Sequence, residues 1–170
     1  VPDVRGVPAG TLVLLGNVGG SMWPTIARSG YLDGRPDPID DWSRDTIDAL
    51  ANTLSAVALY PFGGPPFQPF LRWAQRAEAV FPSRMGPLIH PDYGLWHAYR
   101  GALVFPECMA LPIPSTVLSP CDTCVDKPCL SCCPVDAIAD GQYDVVSCAN
   151  FAASLEGMQC VEDGCAARRA

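Results

Sequence analysis

Apolar positions in the first hundred residues come in short runs with two different periods. Val7 to Leu15 ends in Leu12-Val13-Leu14-Leu15, an unbroken apolar stretch that predicts a buried strand in a sheet covered on both faces. It runs into Gly16-Asn17-Val18-Gly19-Gly20-Ser21, after which Met22-Trp23-Pro24 opens a short helix. Strand, glycine turn and helix is the layout in which backbone N–H groups at a helix start attract an anion. Neither the G-x-G-x-x-G nor the P-loop pattern is met, so Gly19 and Gly20 read first as turn residues needing positive φ and only second as ligand contacts.

Residues 29–40 are loop by their Gly, Pro and Asp content. Asp40 or Asp41 is the expected N-cap of a helix over 41–55, whose Trp42, Ile47, Leu50 and Leu54 share one face. That stripe reads as core rather than as a cofactor box. Ala56–Tyr60 predicts a second strand, stopped by Pro61. Pro61-Phe62-Gly63-Gly64-Pro65-Pro66-Phe67 is a stiff, aromatic-rich turn, and Phe70, Leu71, Trp73, Ala74, Ala77 and Val80 mark a third helix over 69–80. Gly86–Ile89 reads as a short strand, His90-Pro91-Asp92-Tyr93-Gly94 as a turn, and Leu95–Phe105 as the returning strand of a hairpin. Pro106, Pro112, Pro114 and Pro120 then mark an extended linker. The expected organisation is an α/β (α+β) domain over 1–106, a proline-rich linker over 107–120 and a small cysteine-rich segment over 121–170. That segment holds one helical turn at 134–140 and a short helix at 148–157.

Composition narrows the function classes. With 49% hydrophobic and 17% charged residues the chain is globular. A net charge of −7 leaves no basic face for phosphates and argues against nucleic acid as a partner. It suits an electron carrier that docks on a basic patch of a redox partner protein. No apolar run reaches the length of a membrane span, and no signal peptide is visible, although the chain starts at Val1. Nine cysteines would suit a secreted disulfide framework. Eight of the nine, however, lie in the last fifty residues, the number is odd, and Cys132 and Cys133 are adjacent. A reducing cytoplasm is the expected location.

The cysteines carry the chemistry. Cys121 to Ile138 reads Cys-Asp-Thr-Cys-Val-Asp-Lys-Pro-Cys-Leu-Ser-Cys-Cys-Pro-Val-Asp-Ala-Ile, followed by Cys148, Cys160 and Cys165. The spacing Cys-x2-Cys-x4-Cys-x3-Cys-Pro is close to the bacterial ferredoxin run, with two extra residues before Cys129 and Cys132 as a spare thiol. It predicts a ferredoxin-like segment with two [4Fe–4S] clusters. In two-cluster proteins the Cys-Pro cysteine of one run ligates the other cluster. Cys121, Cys124 and Cys129 would then hold the first cube, and Cys133 would join Cys148, Cys160 and Cys165 around the second. The first cube's fourth ligand is either Cys132 or a cysteine expected just beyond Ala170, where the segment is expected to be truncated. Zinc is the main alternative, because four-thiolate sites also use Cys-x2-Cys pairs. Cys121/Cys124 and Cys129/Cys132 are separated by only four residues, which is short for wrapping one ion. Cys108 lies apart and reads as a buried small residue. His90 and His97 flank the hairpin turn and could pair.

Gly86-Pro-Leu-Ile-His-Pro-Asp-Tyr-Gly-Leu-Trp-His-Ala-Tyr-Arg-Gly-Ala-Leu-Val-Phe, with the proline-rich linker and cysteine run after it, resembles the cobalamin-dependent epoxyqueuosine reductases. Reductive dehalogenases share the same order. The resemblance covers Gly86 to Cys165 and implies two cubes with the same crossover of the Cys-Pro thiol. It also implies a cobalamin domain of flavin-reductase-like α/β type, but the part before Gly86 is much shorter here and no residue matches the family's catalytic acid. The sequence therefore favours an electron-transfer protein relaying single electrons through two clusters. Behind it stands a cobalamin- or flavin-using reductase, with Gly19, Gly20, Phe62, Gly63, Gly64 and His90 lining its pocket. A zinc-stabilised interaction module comes third.

Overall fold

A computed structural model of the chain describes residues 6–113, 116–139 and 141–170. The first elements are β1 (Thr11–Val18), α1 (Trp23–Arg28), α2 (Pro38–Thr53), β2 (Val57–Leu59) and α3 (Phe70–Ala77). Two short strands, β3 (Phe81–Pro82) and β4 (Leu88–Ile89), precede a long one, β5 (His97–Phe105). After these come α4 (Pro120–Thr123), a 3₁₀ turn (Pro128–Leu130), β6 (Ile138–Ala139) and β7 (Gln142–Tyr143), then α5 (Val145–Ala152), α6 (Met158–Glu162) and α7 (Ala166–Arg169). The fold is mixed α/β with small antiparallel sheets. The chain divides into two units, Val1–Glu78 with His97–Ser115, and Ala79–Trp96 with Thr116–Ala170. Residues 79–96 thus belong with the cysteine-rich segment rather than with the first unit.

In the first unit a three-stranded sheet has the order β1-β5-β2, every pair antiparallel. The centre of β5 is its most apolar stretch, and Ala102, Leu103 and Val104 are buried. Such a strand needs partners on both edges, and β1 and β2 supply them. The expected hairpin between Gly86–Ile89 and β5 does not form for this reason. Leu12–Leu15 are half-buried on an edge strand, so that apolar run does not mark a sheet covered on both faces.

Helix α2 lies against this sheet through Ile47 and Ala51, which join Ala56, Tyr60 and Leu103 in the core. Each fully buried Ile or Leu contributes about 1.5–3 kcal/mol. The helix starts earlier than its acidic residues suggested. Pro38 occupies its first turn, where the missing N–H is not needed, and Asp40 and Asp41 fall within that turn, facing the positive end of the helix dipole. The buried Tyr60 hydroxyl donates to Asp48 Oδ1 at 2.6 Å and sits 3.1 Å from the Arg44 carbonyl. Register shifts between Leu15 and Gly16, where Arg100 is the extra residue of a bulge in β5; a Cβ on Gly16 would stand 2.3 Å from the Ala98 carbonyl oxygen, so the strands close there only around a glycine. Cys108 is exposed, not buried, with its sulfur 4.0 Å from the Gly10 carbonyl oxygen.

In the second unit β3 pairs with β4, Phe81 opposite Ile89 and Pro82 opposite Leu88. His90 and Gly94 exchange backbone hydrogen bonds of 2.9 Å and close the turn locally. Among the described residues of the helical turn expected over 134–140, none is helical. Asp136 takes a left-handed φ of 48°, which interrupts a right-handed helix, and Ile138–Ala139 pair with Gln142–Tyr143 instead. Asp140 lies outside the described residues, as does Pro114 of the linker. Pro120 begins α4 rather than continuing an extended linker, since proline suits a first helical turn. The short helix expected over 148–157 starts earlier, at Val145, because Asp144 caps it by accepting from the Ser147 N–H at 3.0 Å.

Candidate functional site

All eight cysteines from Cys121 onward fall in the second unit, and the local folding of the chain sorts them into two groups. The first is built on two tight turns. Ser119 caps α4 by accepting from the Cys121 N–H at 3.3 Å, and Cys124 ends that helix. Lys127 adopts a left-handed conformation, φ 42°, that reverses the chain into the 3₁₀ turn carrying Cys129. The Cys132 N–H then bonds back to the Pro128 carbonyl at 3.0 Å. Burial pushes the Cys129 thiol above its ordinary pKa, and the Cys121, Cys124 and Cys132 sulfurs add to the rise. Cys132 is exposed, and the other three are half-buried.

The second group lines a cavity of ≈ 290 Å³. Cys133, Cys148, Cys160 and Cys165 all contribute to its wall, although Cys133 and Cys165 are more than thirty positions apart in the chain. Four separate elements place them. Pro134 turns the chain after Cys133, and the Ala137 N–H returns to donate to the Cys133 sulfur at 3.3 Å. Cys148 sits in the first half of α5, where its N–H bonds the Asp144 carbonyl at 3.1 Å. Cys160 is fixed on α6 by a 2.9 Å bond to the Gly157 carbonyl, and Cys165 caps α7 through its own carbonyl. Val135, Ile138, Phe151 and Ala167 give the rest of the wall an apolar character. Tyr143 also lines it, and its hydroxyl pKa is raised by a hydrogen bond to Cys148 first, then by burial and by the charges of Cys148, Cys165 and Cys133. Arg168 brings a cation to the same wall, held by a 2.8 Å bond from Nε to the Leu95 carbonyl and by the Trp96 ring 4.7 Å away.

Among the described residues, no three His, Cys, Asp or Glu side chains close in on one point as the ligands of a single ion do. The thiols of the second group are set around a space instead. Comparison with family models, characterised protein sequences and solved structures gives no match for this chain.

The residues expected to line a corrinoid or flavin pocket are not gathered in one unit. Gly19, Gly20, Phe62, Gly63 and Gly64 belong to the first and His90 to the second. Gly19 and Gly64 have positive φ, 51° and 80°, with open space where a Cβ would go, as turn glycines do. Phe62 stacks on Tyr60 with ring centroids 5.2 Å apart, and Arg44 lies over both rings. His90 and His97 likewise fall in different units. The His90 Nδ1 accepts from the Asp92 N–H at 3.0 Å within its own turn. Tyr143 and Arg168 were not foreseen. Nothing in their spacing to the cysteines distinguishes them from other surface residues, and only the fold brings them to the cavity.

Proposed function

We propose that the chain is an electron-transfer protein carrying two [4Fe–4S] clusters. Cys133, Cys148, Cys160 and Cys165 would hold one, and Cys121, Cys124, Cys129 and Cys132 the other. The observation that carries this reading is the ≈ 290 Å³ cavity whose wall holds four cysteines, the same four that a ferredoxin crossover assigns to one cluster. A cubane takes one thiolate per iron and keeps the ligands apart around its volume, whereas zinc draws four sulfurs to about 2.3 Å from a single point. Four cysteines on one cavity wall are the donor set that such a cluster would take. Bound clusters would supply one-electron redox chemistry.

The protein's own part is to hold and to tune. The Ala137 amide puts a hydrogen-bond donor against the Cys133 sulfur, and such bonds stabilise the more negative, reduced form. Val135, Ile138 and Phe151 exclude water from the same space. The Arg168 cation beside the cavity also favours the reduced state. No helix among the described residues is long and apolar enough to cross a membrane, and the net charge of −7 suits docking on a basic surface of a redox partner.

Anaerobic purification tests the proposal. The protein should be brown, with about eight irons and as many labile sulfides per chain. A colourless protein holding one or two zincs and no sulfide would overturn it.

A further inference from the structure

The stretch from Ser154 to Glu162 repeats every three residues. Ser154, Gly157 and Cys160 are buried or half-buried, and the six residues between and after them are exposed. Backbone bonds set this period: Gly157 N–H to the Ser154 carbonyl at 3.2 Å, Met158 to Leu155 at 3.4 Å and Cys160 to Gly157 at 2.9 Å. Such i→i+3 bonds bring residues three apart into line. The inward row carries Cys160 to the cysteine-lined cavity. Of the two outward rows, one is Leu155, Met158 and Val161, exposed by 87%, 47% and 67%, and the other is Glu156, Gln159 and Glu162.

A continuous apolar row left to water beside a polar one is a contact surface without its partner. Charge says what fills it. The second unit holds nine Asp and Glu against four Lys and Arg, a net −5 of the chain's −7. Asp163, next after the polar row, lies 3.9 Å from Arg169, whereas Glu156 and Glu162 meet no cation among the described residues. A second copy of the chain would set the same carboxylates against each other, which disfavours it. A basic surface meets no such repulsion. Position then gives the contact a purpose, because Cys160 stands between Gln159 and Val161 and also forms the cavity wall.

Resting on the electron-transfer reading above, we propose that Leu155, Met158 and Val161, edged by Glu156 and Glu162, form the docking surface for the redox partner. That partner is a protein whose own contact patch is apolar at its centre and ringed by Lys or Arg. An apolar centre with a polar rim is the usual anatomy of a protein–protein contact. The carboxylates steer the encounter, the apolar row holds the complex, and the backbone at Cys160 leads from the cavity to the contact.

Oxidised cytochrome c, a basic haem protein with lysines around its exposed haem edge, is the probe. Carbodiimide joins carboxylates to lysines that touch them. Mass spectrometry should place the cross-links at Glu156 and Glu162 of the full chain, not at the exposed Asp33 and Asp37 of the first unit. Glu156→Lys with Glu162→Lys should weaken binding about tenfold or more at low salt, an effect that fades as salt screens it. Leu155→Ser with Val161→Ser should weaken it by a factor that salt leaves unchanged, since apolar contact is not screened. Asp37→Lys should have little effect. Iron content separates two failures. A chain without clusters removes the reading on which this surface rests. Loaded clusters with cross-links on the first unit, or with no saturable binding, would overturn the surface alone.

Discussion

The Ala137 N–H points at the Cys133 sulfur from 3.3 Å, while the adjacent Cys132 is tied by its own N–H to the Pro128 carbonyl at 3.0 Å, in the turn that carries Cys129. Two neighbouring cysteines are thus held from opposite directions along the chain, Cys132 through its N–H by the Pro128 carbonyl and Cys133 through its sulfur by the Ala137 N–H. The 3₁₀ turn has already ended at Ser131; past Pro134 the left-handed Asp136 folds the chain back, and the returning amide fixes Cys133 at the cavity.

The proposed assignment makes Cys132 a ligand and Cys108 a bystander. Cys132→Ser should lower bound iron from about eight to about four per chain while the remaining cluster keeps its signal in electron paramagnetic resonance. Cys108→Ser, at an exposed cysteine of the other unit, should leave iron content unchanged. Full iron in Cys132→Ser would mean that another group completes the first cluster.

Iron removal should act on one unit. Past residue 116, only Ala137, Ile138 and Ala167 are buried apolar residues among those described, a small core for some fifty residues. Binding energy at such sites is folding energy. Chelation under reducing conditions should therefore abolish amide protection in α5, α6 and α7 and leave β5 protected. Hydrogen exchange read by mass spectrometry distinguishes this from uniform loss, which would contradict a cluster-held segment.

Gly157 is required by contact rather than by φ. A Cβ at this position would lie 1.9 Å from the Phe151 carbonyl oxygen, where α5 ends and the chain passes into α6. The obstacle is backbone, so it cannot rotate aside. Gly157→Ala should cost about 3 kcal/mol in urea unfolding and should loosen Cys160, which hangs from the Gly157 carbonyl. A midpoint matching that of the unaltered protein would show that the two helices can shift at little cost.

Gly157 also marks where the sequence stops being informative. Its demand comes from a carbonyl six residues away, and no local pattern announces it. Local signals served better: β2, α2 and α3 lie on the apolar run and the 3.6-residue stripes that mark them, and β1 overlaps its apolar run but extends past it to Val18, because local geometry sets those patterns. Strand partners escaped, since the pairing of β5 with β1 joins Thr11 to Phe105 across most of the chain. Cysteine spacing assigned Cys133, Cys148, Cys160 and Cys165 to one set, and these four do line one cavity.

Alkaline pH should weaken the first unit through Tyr60. Burial first, and then the hydrogen bond to Asp48, raise its hydroxyl pKa above the ordinary value near 10. An acid whose folded pKa is raised keeps its full contribution below the unfolded pKa and loses it as pH rises toward the folded one. Stability should therefore hold through neutral pH and fall from about pH 10 upward. Tyr60→Phe removes the hydrogen bond to Asp48 and should cost about 1–2 kcal/mol at neutral pH. It should also flatten the alkaline fall, which denaturant titrations at several pH values would reveal; an unchanged slope would place the sensitive group elsewhere.

The packing of α2 on the sheet turns on Gly101 and Ile47. A Cβ on Gly101 would lie 2.6 Å from Ile47 Cδ1 and 3.1 Å from the Leu59 carbonyl oxygen, so the helix approaches β5 only because the strand has no side chain there. Gly101→Ala should cost about 1–3 kcal/mol by overpacking. Ile47→Val removes the Cδ1 methyl and alone should cost about 1 kcal/mol as a small cavity. In the double variant the new methyl occupies the space the old one leaves, so its cost should be smaller than the sum of the two single costs. The residual is set by the Leu59 carbonyl, which neither substitution moves. Urea denaturation of the four proteins closes this cycle. Strict additivity would mean that the helix relieves the clash by sliding, and that Gly101 is present for strand geometry alone.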